Sequence, residues 1–266
     1  MNSSLLISIS TFVYGASALL FHCGWIFKKR RYDQAATGVA MVGLLLNLAG
    51  FLLRWRESYA LGIGRIPLSN LYESLVFYGL AIAFLYLVCQ RLFKMRAVGG
   101  FALTFATLAL AYASLSPNVG SQIRPLMPAL KSNWLTVHVM TSFVGYAGFA
   151  LAFGISLLYL LSSRARTEEL DELSHRMILL GFLFLTLGII TGAVWANSAW
   201  GRYWGWDPKE TWSLITWFIY ATLIHTRLVR GWSGQKTATL SIIGFAAVMF
   251  TYFGVNLLPG LHSYGG

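Results

Sequence analysis

The sequence predicts an all-α fold, a polytopic integral membrane helical bundle of about eight transmembrane helices with both termini outside. Three observations carry this. First, 57% of the 266 residues are hydrophobic and only 11% are charged. Second, apolar runs recur at the length that crosses a ~30 Å hydrocarbon core, which takes ~20 helical residues. Third, lysine and arginine fall unevenly between the loops that join those runs. Backbone polar groups inside lipid must pair within the segment, so the runs are read as helices.

The spans are 4–27, 36–53, 71–92, 97–115, 134–161, 173–195, 209–229 and 238–257. The first lacks a basic leader and a small-residue cleavage signature, so it is read as a retained helix. The second follows the basic loop KKRRYDQ and ends before Arg54 and Arg56. Ahead of the third, Pro67 and Ser69-Asn70 stop the chain, with Asn70 as N-cap and Glu73 placed to complete the cap. The fourth and fifth are separated by the proline-rich segment SPNVGSQIRPLMPALKSNW, and the sixth follows the polar loop SSRARTEELDEL. The seventh starts at an Asp-Pro step, and the eighth ends ahead of the tail LLPGLHSYGG. No sequence repeat, low-complexity tract or soluble domain is seen, so 1–266 reads as a single membrane domain.

Thirteen of the twenty lysines and arginines lie on one side of these spans: Lys28, Lys29, Arg30, Arg31, Arg91, Lys94, Arg96, Arg164, Arg166, Arg176, Arg227, Arg230 and Lys236. The positive-inside rule makes that side cytoplasmic. The net charge of +11 is then topology and contact with anionic lipid, and calls for no nucleic acid. Cys23 and Cys89 have no C-x-x-C spacing, so thiol chemistry is assigned to a partner.

The segment 195–212 is the part least explained by living in a membrane. Within it, WGRYWGWDPKETW sets Trp200, Trp204, Trp206 and Trp212 among glycines. One or two tryptophans at an interface are ordinary; four suggest a flat aromatic shelf for a large planar apolar ligand. Asp207, Pro208 and Glu210 have the N-cap, N1 and N3 pattern of a helix start, which gives both carboxylates a scaffold role.

The five histidines sort by depth. His138 lies one to two turns into its span at the outer side, and His262 follows Pro259-Gly260 in the outer tail. Two readings stand for this pair: satisfied interfacial residues, or the axial ligands of a haem against which the tryptophans pack. His225 comes 18 residues after Asp207, about 27 Å along a helix, too far for the same iron. An ionisable residue inside a span is a functional candidate; His22 reaches a similar depth, and His175 reads as a boundary residue.

Taken together, W-G-x-x-W-x-W-D at Trp200, Gly201, Trp204, Trp206 and Asp207, the following PKETW, LIHTRL around His225 and PLSNLYESLVF from Pro67 to Phe77 resemble the cytochrome c biogenesis family that includes CcsA, or ResC. That family is related to the CcmC and CcmF types and belongs to the system II cytochrome c synthase. The resemblance spans almost the whole chain and is strongest from LDELSHRM at 170 to the end. It implies a membrane subunit that moves haem b to the outer face, or holds it there, for thioether attachment to apocytochrome c. It implies His138 and His262 as iron ligands and His225 at a second haem site, whose other histidine comes from a ResB/CcsB-type partner or, more weakly, from His22.

The further partners implied are an apocytochrome with Cys-x-x-Cys-His and a thiol-reducing protein. Arg124, Lys131 and Arg202 are candidates for the haem propionates. His262, after a Pro-Gly step, is the ligand expected to leave when the apocytochrome histidine arrives. The site is expected at the outer side of a bacterial cytoplasmic membrane, or of a thylakoid membrane if the chain is organelle-encoded. No residue is assigned as acid or base, and enzyme activity is expected only within a complex. From other classes, a b-type electron-transfer cytochrome and a non-haem transporter of an apolar ligand remain as alternatives.

Overall fold

The computed structural model describes residues 2–260 apart from 94, 95, 97 and 118. Eight α-helices follow in order: α1 (Ser3–Phe27), α2 (Arg30–Ala60), α3 (Leu71–Phe93), α4 (Gly99–Leu115), α5 (Asn133–Leu161), α6 (Glu168–Trp200), α7 (Pro208–Arg230) and α8 (Gln235–Tyr252). Among the described residues there is no strand. Each apolar run thus has its helix, and the chain is a helical membrane protein. α1, α2, α3, α5 and α6 are long and apolar enough to cross a membrane unaided, whereas α4 is apolar over only 17 residues. α7 carries Lys209, Glu210, His225, Arg227 and Arg230, which lower its hydropathy.

Two helices run well past their apolar cores. α2 extends beyond 36–53 at both ends, and at its C-terminal end Arg54 and Glu57 find partners in neighbouring helices. α6 starts at Glu168, where the Thr167 hydroxyl accepts the Leu170 N–H and acidic residues fill the first turn. Both features stabilise a helix N-terminus, whose amides lack partners and carry partial positive charge.

The helices form two compact units, Met1–Met127 and Pro128–Gly266. In the first, α1 packs along α2 and α4, and α3 packs along α4 and more lightly on α2. The close approach of α1 and α2 depends on absent side chains: a Cβ at Gly43 would lie 2.6 Å from the Tyr14 ring, and one at Gly50 2.8 Å from Ile7.

Glu73 closes one end of this unit. It receives Arg54 at 3.0 Å and Arg65 at 2.6 Å, with all three side chains at 7% exposure or less. It also accepts the Ser69 N–H, while Asn70 accepts the N–H of Glu73 and caps α3 as its sequence predicts. Nearby, Glu57 takes the backbone N–H and hydroxyl of Ser3 at the start of α1. Buried charges persist only when paired and hydrogen-bonded, and here two guanidinium groups depend on one carboxylate.

The second unit repeats that neighbour pattern. α5 packs along α6 and α8, and α7 along α8 and more lightly on α6. Gly145 and Gly148 of α5 meet Gly181 of α6 backbone to backbone; a Cβ at Gly145 would stand 2.9 Å from the Leu185 nitrogen. Such small-residue seams let membrane helices gain packing where water expulsion does not drive association. Phe149 and Tyr220 stack at 3.6 Å in the core. At the end where α6 begins, Asp171 ties three helices by accepting from Arg227 (2.6 Å), Gly234 N–H and Thr237 (both 2.9 Å).

Candidate functional site

At the opposite end of the second unit, α5 begins, α6 ends and α7 begins. His138 stands there, just over a turn into α5, whose start is capped by Ser132. Its Nδ1 lies 2.7 Å from the carbonyl oxygen of Gly188 on α6. A carbonyl only accepts, so Nδ1 carries the proton and donates it, leaving Nε2 with the lone pair. One turn further along α6, Gly192 makes room for the ring, since a Cβ there would be 2.6 Å from Nδ1. The ring lies nearly parallel to Trp195, 6.2 Å away at 12°. Trp195 is itself buried at 2% exposure and donates its indole N–H to the Ala129 carbonyl at 2.9 Å.

From Trp195 the aromatic contacts continue into the tryptophan segment. Trp200 meets Trp195 at 4.8 Å and 64°, and α6 stops one residue later at Gly201, whose φ of 73° is a left-handed helix cap. Trp206 also has a left-handed φ, 57°, which costs a bulky residue on the order of 1–3 kcal/mol. Glu210 holds the strained turn: its Oε2 accepts the N–H of Gly205 at 2.7 Å and of Asp207 at 3.2 Å, either side of Trp206. The strain presents an indole that is 69% exposed.

The expected flat shelf is not what forms. Trp204 and Trp206 meet at 89°, edge to face, and Trp212 turns inward onto Phe250 at 4.2 Å. Edge-to-face contact is what the ring quadrupole favours, so the segment is a corrugated aromatic edge and not a plane.

Asp207 caps α7, accepting the Lys209 N–H at 3.0 Å, and with Glu210 completes the capping box its spacing predicts. Gly260, the last described residue, lies against this cap; a Cβ there would be 2.6 Å from an Asp207 carboxylate oxygen. His262 lies outside the described residues. Lys209, in the first turn of α7, is near enough to both Asp207 and His138 for its charge to act on them.

Of the other cations, Arg202 folds toward Gly205, and Lys131 is exposed just after the turn that carries Ala129. Arg124 belongs to the first unit, where its backbone carbonyl accepts from Arg65. His225 sits on the unbroken α7 that Asp207 caps and is exposed, on a face shared with Phe218 and Val229. His22 is engaged in the first unit, with Thr104 at 3.3 Å and Phe101 edge-on. His175 lies near Asp171 and Arg227.

Sequence reasoning missed Gly188, Gly192, Trp195 and Lys209. The first two were detectable as a Gly-x-x-x-Gly pair on an apolar helix, the signature of close helix approach. Trp195 opens the 195–212 segment and Lys209 lies within it, but neither was singled out as a site residue.

Comparison with known proteins bears on the whole chain. The sequence profile described as "Cytochrome C assembly protein" matches residues 68–262. A protein of Chlamydomonas reinhardtii called cytochrome c biogenesis protein CcsA is 44% identical over 86% of this chain and 67% of its own. Proteins of that name from Parasynechococcus marenigrum and a Synechococcus species are 40% and 36% identical, over 88% and 98% of this chain and 88% and 94% of theirs. Among solved structures, one titled "Cytochrome c Heme Lyase CcmF" matches 97% of the chain with a TM-score of 0.73 at 17% identity. The chain spans about half (51%) of that structure, which at this identity speaks for the fold alone.

Proposed function

This chain belongs to the cytochrome c assembly family, and from that premise we propose that it is the haem-handling membrane subunit of a cytochrome c synthase. It moves haem to the outer membrane face, or holds it there, and presents it for thioether attachment to an apocytochrome. The observation that carries the reading is His138: its Nδ1 is tied to Gly188, its Nε2 is left as the lone-pair donor, and its ring lies parallel to Trp195, which in turn meets Trp200. Neutral imidazole with the second nitrogen hydrogen-bonded is the usual form of a metal-bound histidine, so the donor set fits haem iron. His262, two residues beyond Gly260 in the sequence, is the proposed second ligand.

In this reading 1–266 acts as a single membrane domain of the assembly type, with 195–212 as its haem-handling segment and both termini outside. Trp200, Gly201, Trp204, Trp206 and Asp207 line the porphyrin, while Lys131 and Arg202 are the cations for its carboxylates. The haem is haem b, which supplies two vinyl groups. Each cysteine thiol of a Cys-x-x-Cys-His segment adds across one vinyl, its sulfur bonding to carbon and its hydrogen going to the neighbouring carbon. The chain's own contribution is positioning, which alone lowers the barrier of a bimolecular addition by several kcal/mol. Asp207 and Glu210 serve as scaffold.

His225 belongs to a second haem site toward the cytoplasmic side, completed by a ResB/CcsB-type partner. A thiol-reducing protein keeps the apocytochrome cysteines reduced. The assembly resides in a bacterial cytoplasmic membrane, or in a thylakoid membrane if the chain is organelle-encoded. The test is an absorption spectrum of the protein purified with its partner. His138→Gly and His262→Gly should each lose outer-site haem, with free imidazole restoring it. A His262→Gly protein that keeps that haem without imidazole overturns the ligand pair, and a wild-type complex with no Soret band overturns the whole reading.

A further inference from the structure

We infer that Gly188 and Gly192 of α6 form a seat that fixes the tautomer and angle of His138, making Nε2 the sole nitrogen it offers. The inference deepens the proposed function and rests on its assignment of His138 to iron.

Three contacts define the seat. The Gly188 carbonyl takes the proton of Nδ1 at 2.7 Å. Gly192 removes the side chain that would otherwise stand 2.6 Å from Nδ1 and 2.8 Å from Cε1. Trp195, anchored through Ala129, lies parallel to the ring within 12°. A ring flip would turn a carbon toward the carbonyl and forfeit the hydrogen bond. Gly188 is itself held, because a Cβ there would be 2.5 Å from the Ser142 hydroxyl oxygen, one turn after His138 on α5.

A histidine whose free N–H donates to a carbonyl is a more basic and better oriented ligand than one without that bond. His138 has that bond from the folded core of α5 and α6. Gly188 and Gly192 are positioning residues and touch neither haem nor thiol.

The test reads the imidazole before it reads haem. Haem-free protein with 15N-labelled histidine, compared with His138→Gln to assign the signal, should show His138 as the neutral form protonated at Nδ1. Gly192→Ala should convert that signal to a mixture of tautomers and weaken haem retention by roughly 10–100-fold, with free imidazole restoring a low-spin spectrum. His138 protonated at Nε2 in the wild type, or a Gly192→Ala signal identical to wild type, overturns the seat. If Gly192→Ala does not accumulate, the wild-type tautomer decides alone. Wild-type protein with the expected tautomer that binds no haem supports the seat and overturns the haem reading, so the two fail separately.

Discussion

The two four-helix units share a plan and differ in what they do with one end of it. In each, the first helix packs along the second and fourth and the third along the fourth. In each, the third helix starts on a polar cap, Asn70 or Asp207, with a glutamate three residues on that reaches back to the preceding loop. Ile7 and His138 each stand five residues before a Phe-Val pair, and each fills a glycine notch on the second helix, Gly50 or Gly192.

In the first unit the glutamate is clamped by Arg54 and Arg65 and the notch takes an isoleucine. In the second the glutamate steadies a strained, exposed tryptophan and the notch takes an imidazole. One plan is thus closed by buried charge in one unit and left chemically equipped in the other.

The largest effect is expected where the first unit is closed. Glu73→Ala leaves Arg54 and Arg65 buried without their carboxylate, a loss of about 3–5 kcal/mol. Denaturant unfolding of the purified protein in detergent should show it as a lower midpoint. Glu210→Ala removes backbone acceptance only and should cost about 1 kcal/mol, the scale of a helix cap. Equal losses for the two would break the contrast between a sealed end and an open one.

That contrast shows what could be read from the residues. The eight runs were legible because apolar length is a property of the chain itself. The true ends of α2 and α6 were not, because Arg54, Glu57 and Asp171 continue those helices by pairing with residues that only folding brings near. Arg54 read as a loop cation and Glu73 as a cap, and nothing in their spacing announced that they meet each other and Arg65. The depth of His138 followed from topology, but its orientation depends on two glycines of another helix. A flat shelf was a fair reading of four tryptophans, and it failed because ring planes are set by the Gly201 turn and the Glu210 clamp.

The two notches give a sharper test of middle size. Gly50→Ala forces a Cβ to 2.8 Å from Ile7, an overpacking that costs roughly 1–3 kcal/mol. It should lower the unfolding midpoint and leave the haem absorption per folded protein unchanged. Haem absorption that falls as far with Gly50→Ala as with Gly192→Ala would mean the notches differ in nothing but their side chains' size.

The smallest expected effect separates scaffold from chemistry at Asp207. Asparagine caps a helix about as well as aspartate, whereas alanine loses the bond at a cost of about 0.5–2 kcal/mol. If Asp207 only orients α7, and with it Trp206 and the root of the tail at Gly260, Asp207→Asn should assemble c-type cytochromes at nearly the wild-type level. Asp207→Ala should assemble fewer, in step with its lower stability. The measurement is covalent haem in membrane cytochromes, normalised to the amount of folded protein. A large loss in Asp207→Asn with its stability intact would assign the carboxylate's charge a direct part, acting on Lys209, and would move Asp207 from the frame of the site to its working groups.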